Sequence, residues 1–158
     1  MSLMNRINPV EVRAAAKVFV DQKSDEFALD QNNRLGRQGA QSIGKVLSDS
    51  SVKNSQINGV LNIANSTESI ADIVDTLKIR IGRDNGKGWK KENVGQNIME
   101  ILVGLRSDCE QFTRDHKVDG AVRSQINRVL HLILCRKYLQ HIAAHFEYMK
   151  SLTEEKGM

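Results

Sequence analysis

Val129-Leu130-His131-Leu132-Ile133-Leu134-Cys135 is apolar on nearly every side, with no glycine or proline at either end. A strand of that length would need turn residues to bound it, so the run reads as the middle of a helix packed on several sides at once. The same spacing continues outward through Val122 and Ile126 before it and Ile142, Phe146 and Met149 after it, which predicts one long helix over residues 121–153. A helix buried all round needs other helices to bury it, and the rest of the chain has to supply them.

It does so with a single proline, Pro9, to interrupt helices. Val94, Ile98, Ile101, Leu102, Leu105, Cys109 and Phe112 repeat at heptad-like spacing and predict a helix that runs to a charged connector over 113–120. Gly95 and Gly104 within it each cost about 1 kcal/mol relative to alanine, and close helix contacts would explain them. Ile70, Ile73, Val74, Leu77 and Ile81 form one apolar stripe, predicting a helix over 66–81 that Gly82 stops. Upstream, the segment 51–55 offers N-caps for a helix carrying Ile57, Val60, Leu61 and Ala64. A short helix over 41–47 carries Ile43, Val46 and Leu47. Asn8, Pro9 and Glu11 read as N-cap, first-turn proline and capping box of a helix over 9–27, whose apolar face is Val10, Ala14 and Val18, with Ala15 and Phe19 nearby. Residues 28–39 read as a polar loop or a frayed helix start. The expected fold is an all-α, single-domain bundle of five or six helices over 4–153, with Met1-Ser2-Leu3 as a vector leader and 154–158 as a disordered tail.

The chain has 158 residues, enough for a core without disulfide or metal support. Cys109 and Cys135 form no CxxC pair and fall at core positions, as reduced thiols would. No apolar run is long enough to span a bilayer and no signal-peptide pattern opens the chain, so a cytoplasmic location is expected. The net charge is +4 with 27% charged residues, while aromatics make up only 4%. A basic chain poor in stacking side chains suits phosphate contact better than base stacking.

Catalytic patterns are weak. His141 and His145 lie one helical turn apart as in a zincin helix, but Ile142 stands where the general-base glutamate belongs and no third ligand is evident. His131, among leucines, reads as a satisfied core histidine. The segment from Gly82 to Gly88 is one residue short of a phosphate loop, has Gly88 in place of the magnesium-binding hydroxyl, and follows a helix instead of a strand. Neither cofactor nor metal is expected.

Basic residues carry the remaining signal. Lys78, Arg80, Arg83, Lys87, Lys90 and Lys91 surround a glycine-rich turn and the single tryptophan, Trp89, which is expected to pack the turn onto the bundle. Arg123, Arg128, Arg136 and Lys137 form a second group on the last helix. These ten are the candidate RNA-binding residues; the bland alternative is solvated helix surface.

From about Ser55 to Lys150 the chain resembles the small helical subunit of type III-A CRISPR effector complexes, the Csm small subunit. The resemblance rests on Ser55-Gln56-Ile57 opening a helix, on Leu77-Lys78-Ile79-Arg80-Ile81 before a basic turn, and on Lys137-Tyr138 followed by Ala143-Ala144. Asn58 stands where that family usually has arginine, Gly82-Arg83 where Ala-Tyr is common, and His145-Phe146 where Tyr-His is. The resemblance implies a non-catalytic subunit of an antiviral ribonucleoprotein that lines up in copies along a guide RNA, beside other effector subunits. It also implies sequence-independent contact with the phosphate backbone of the target RNA. The competing expectations are a helical protein-interaction or regulatory domain that binds no nucleic acid, and a small hydrolase using His131, His141 or His145.

Overall fold

The computed structural model describes residues 3–8, 10–29 and 40–156. Among them are six α-helices and no strand: α1 (Val10–Leu29), α2 (Ala40–Ser48), α3 (Asn54–Ser66), α4 (Ile70–Gly82), α5 (Val94–Asp115) and α6 (Gly120–Lys156). Short 3₁₀ turns, Leu3–Arg6 and Lys91–Asn93, precede α1 and α5. The all-α bundle expected from the sequence is the fold observed.

α6 is the axis. It packs against α1, α2, α3 and α5, while α4 leans on α3 and α5 at the side. Every residue from Val129 to Cys135 is buried, His131 included. That is why the segment shows no polar face: helices cover it from several directions. Its helix extends through Lys156, past the expected end at 153, so the first residues assigned to a tail are helical. Leu3 likewise belongs to the fold, in the first 3₁₀ turn and packed against the core.

The stripe on α4 is placed as its spacing dictates, with Ile73 and Leu77 fully buried. Its start is later than expected, because α3 runs through Ser66 and Thr67 closes it, the Thr67 N–H donating to Ile63 O (2.9 Å). The Thr67 hydroxyl donates to Asp72 (2.6 Å) and accepts from the Ser69 N–H (3.0 Å), turning the chain into α4. α5 also outlasts its expected end. Lys117 takes a left-handed conformation (φ 51°), and the Val118 N–H donates to Thr113 O (3.0 Å), a Schellman-type closure that shortens the connector.

On α1 the expected apolar face holds only in part: Ala15 and Phe19 pack against the core, but the Val10, Ala14 and Val18 side faces solvent. Val10 and Val18 are 63% and 57% exposed, whereas Ala16, Val20 and Phe27 are buried. Phe19 stacks on Phe112 (centroids 4.8 Å apart) and Phe27 meets Tyr138 edge-on (5.1 Å). Two phenylalanines bring more apolar area than two valines, so they set the rotation of a helix that is weakly apolar on both sides. Ala28 and Leu29, the first residues of the expected loop, continue α1, while the Pro9 start and the rest of that loop, 30–39, lie outside the described residues. Gly95 does mark a close approach: a Cβ there would meet the Ile81 side chain and, at 3.0 Å, Trp89 O.

Candidate nucleic-acid interface

α4 is a ridge with cations on both flanks. Lys78 follows Leu77 by one residue and Arg80 by three, so with Leu77 against the core the two point to opposite sides of the helix. Lys78 lines a groove between α4, α5 and α6, whereas Arg80 and Arg83 line a cleft between α3 and α4.

The first groove encloses about 990 Å³. Lys78, Arg106, Arg114, Arg123 and Arg128 stand along it against Glu68, Asp75 and Glu110. Arg106 is paired with Glu110 (2.9 Å), Arg114 donates to Gln111 (2.9 Å) and Arg123 Nη2 donates to Val118 O (2.9 Å). Among the described residues nothing pairs with Lys78 or Arg128, and both are exposed. Val74 and the half-exposed Val103 give the groove an apolar floor.

The glycine-rich turn has an internal organiser that spacing did not reveal, Asp84. Its carboxylate accepts the N–H groups of Gly86 (3.0 Å), Gly88 (3.2 Å) and Lys90 (3.0 Å). Burial alone would raise its pKa, but these hydrogen bonds, with one from Trp89, outweigh burial and hold the carboxyl below the usual range. The N–H groups that a phosphate loop would offer to a ligand are thus filled by the chain's own anion. Trp89 is 2% exposed, so it packs the turn onto the bundle as its position implied.

The ten candidate residues therefore separate. Lys78, Arg123 and Arg128 share the α4–α5–α6 groove, joined by Arg106 and Arg114, which sequence reading missed because they stand singly on α5. Arg80 and Arg83 share the α3–α4 cleft with Lys53, also missed. Lys87 and Lys90 project from the turn, while Lys91 Nζ donates to Asp49 O (2.6 Å). Arg136 and Lys137 lie in a third hollow, beside Arg6 and Lys17. Arg136 has a structural task there: Nε donates to Ala64 O (2.7 Å) and Nη2 to Thr67 O (3.0 Å), covering carbonyls that the end of α3 leaves open.

The histidines are tied to the fold. His131 Nε2 bonds Leu102 O (2.7 Å), His141 Nε2 bonds the Ser24 hydroxyl (2.8 Å) and His145 Nε2 bonds Ala28 O (2.9 Å). The last two pin α1 to α6, and no group of three potential metal ligands occurs among the described residues. Cys109 and Cys135 are free and buried, and burial pushes the Cys109 thiol up to about 12. Burial lowers the pKa of His131, and lowers that of His141 together with the charges of His145 and Lys137.

A depressed histidine pKa means that the unfolded chain binds the proton more readily. The stability these two contribute is therefore full above their ordinary pKa of 6.5 and is lost as pH falls below it. Thermal melts from pH 8 to pH 5 should show a decline beginning near pH 6.5, shallower in His131→Gln, which can still donate to Leu102 O. A flat profile in the parent would contradict the buried neutral histidines.

No helix among the described residues is long and apolar enough to cross a membrane. Compared with protein-family models, curated proteins and solved structures, the chain matches none.

Proposed function

We propose that this chain is a non-catalytic RNA-binding structural subunit of a ribonucleoprotein, of the kind whose small helical subunit its sequence resembles. On this reading it works in the cytoplasm, in copies along a guide RNA and beside other subunits, and touches guide and target RNA through phosphate and sugar. The observation that carries the reading is the groove between α4, α5 and α6, where Lys78 and Arg128 face solvent with no partner among the described residues and three arginines stand beside them. With aromatics at 4% base stacking has little to work with, which leaves contact through the backbone.

Mixed-sequence single-stranded RNA titrated at several salt concentrations tests it. Each phosphate contact contributes about 0.7 to the salt slope on a single strand, so Lys78→Ala with Arg128→Ala should flatten the slope by about 1.4 at every sequence. Binding that ignores salt, or a double variant that binds like the parent, would remove the groove from the reading. The competing reading, a protein-interaction domain, has one observation in its favour: Val10, Ala14 and Val18 form an exposed stripe on α1.

A further inference from the structure

The cleft on the other flank of α4 has a different character. α3 opens at Asn54 with Lys53 before it, and the Lys53 N–H is taken by the Gln56 side chain (3.0 Å). The Gln56 and Ile57 N–H groups return to Lys53 O (3.0 and 3.2 Å), which leaves those of Asn54 and Ser55 at the mouth of the helix with no acceptor inside it. The positive end of the α3 dipole therefore opens into the cleft. Arg80 and Arg83 face it from α4, and Ser51 and Ser55 add hydroxyls.

Arg80 and Trp89 both line this cleft, and Arg80 Nε and Trp89 Nε1 are buried donors with no hydrogen-bond partner among the described residues. Trp89 is 2% exposed, so no bulk water relieves its indole N–H. Gly59 explains how the Arg80 guanidinium lies against α3, since a Cβ at position 59 would collide with Arg80 Nη2. The one acid on the wall, Asp84, is turned to the N–H groups of its own loop and, among the described residues, pairs with neither Arg80 nor Arg83. Lys53, Arg80 and Arg83 set against one carboxylate leave an excess of two positive charges beside a helix N-terminus and unsatisfied donors. That combination fits a compact anion of charge minus two with oxygens on every side.

We propose that the cleft between the N-terminus of α3 and the C-terminal end of α4 binds a phosphate dianion, free or as the monoester end of a nucleotide. The site occupies the opposite flank of α4 from the RNA groove and does not rest on that reading. Trp89 is the only tryptophan of the chain, so its fluorescence reports on this cleft directly.

The full chain is titrated at pH 7.5 with inorganic phosphate and with uridine monophosphate, beside sodium chloride of equal ionic strength and uridine. A saturable emission change is expected with the two phosphates and with neither control. A tighter response to the nucleotide assigns the monoester, and a response to phosphate alone assigns the free ion. Arg83→Gln and Lys53→Gln should each weaken binding by about 10-fold, the effect of losing one charge-assisted hydrogen bond, while Arg128→Gln in the other groove leaves it unchanged. If Arg83→Gln melts early, Lys53→Gln at the exposed start of α3 carries the test. Responses to phosphate no larger than to chloride, or full binding by both variants, would overturn the site.

Discussion

Leu77→Ala should destabilise the bundle by about 2–5 kcal/mol, the range for a leucine removed from a packed interior. Leu77 is fully buried. It borders a small void of about 10 Å³ among Ile57, Leu61, Ile98, Leu139 and Ile142, where α3, α4, α5 and α6 meet. Helices fixed on several sides collapse poorly into an enlarged void, which places the loss toward the upper part of the range. Urea melts give the measurement: the midpoint should fall while the slope against denaturant stays as in the parent. Ile79→Ala is the control, since Ile79 is 53% exposed on the crest of the same helix and its removal should change stability by about 0.5 kcal/mol or less. Similar losses for the two variants would mean that α4 is not anchored through its stripe.

The contrast between Leu77 and Ile79 was legible before any coordinates, because a five-residue stripe at spacings of three and four leaves one rotation for the helix. α6 was legible for the opposite reason: an apolar run with no polar face can only be central. α1 was not. Val10 and Val18 lie on one face and Val20 with the two phenylalanines on another, of similar apolar content, and the choice was made by partners distant in sequence, Phe112 and Tyr138. The same division holds for the candidate sites. Clusters of lysine and arginine are visible in a sequence, but what each one faces is decided by tertiary neighbours. Arg136 looked like its neighbour Lys137 until α3 brought two open carbonyls against it. Arg106 and Arg114 looked incidental until α4 and α6 closed a groove around them. Asp84 carried a signal that could have been used, since an aspartate followed by glycines two and four residues later is suited to accept backbone N–H groups within its own turn.

Gly44 is a position where an added side chain larger than a methyl group should be costly. α2 lies against α6 so closely that a Cβ on Gly44 would sit 2.6 Å from His145 Cβ and 3.0 Å from Phe146 N. Neither atom can swing aside. One is the root of a side chain and the other is backbone, and this stretch of α6 is held from α1 by the bond between His145 and Ala28 O and, one turn earlier, by that between His141 and Ser24. Moving α6 would strain those bonds; moving α2 would uncover Ile43 and Leu47, which are fully buried. Gly44→Ala gains about 1 kcal/mol of helix propensity but meets an overpacking cost of about 1–3 kcal/mol, so a small net loss is expected. Gly44→Val forfeits most of the propensity gain and adds two methyl groups, and a loss of about 3 kcal/mol should follow, or roughly 6–12 °C in melting temperature for a chain of this size. Gly82→Ala separates packing from propensity, because among the described residues nothing lies within 4 Å of its added carbon and the substitution should be neutral or stabilising. If Gly44→Val melted with the parent while Gly82→Ala gained, the close contact of α2 with α6 would be excluded, and with it the account of why the chain places a glycine in the middle of so short a helix.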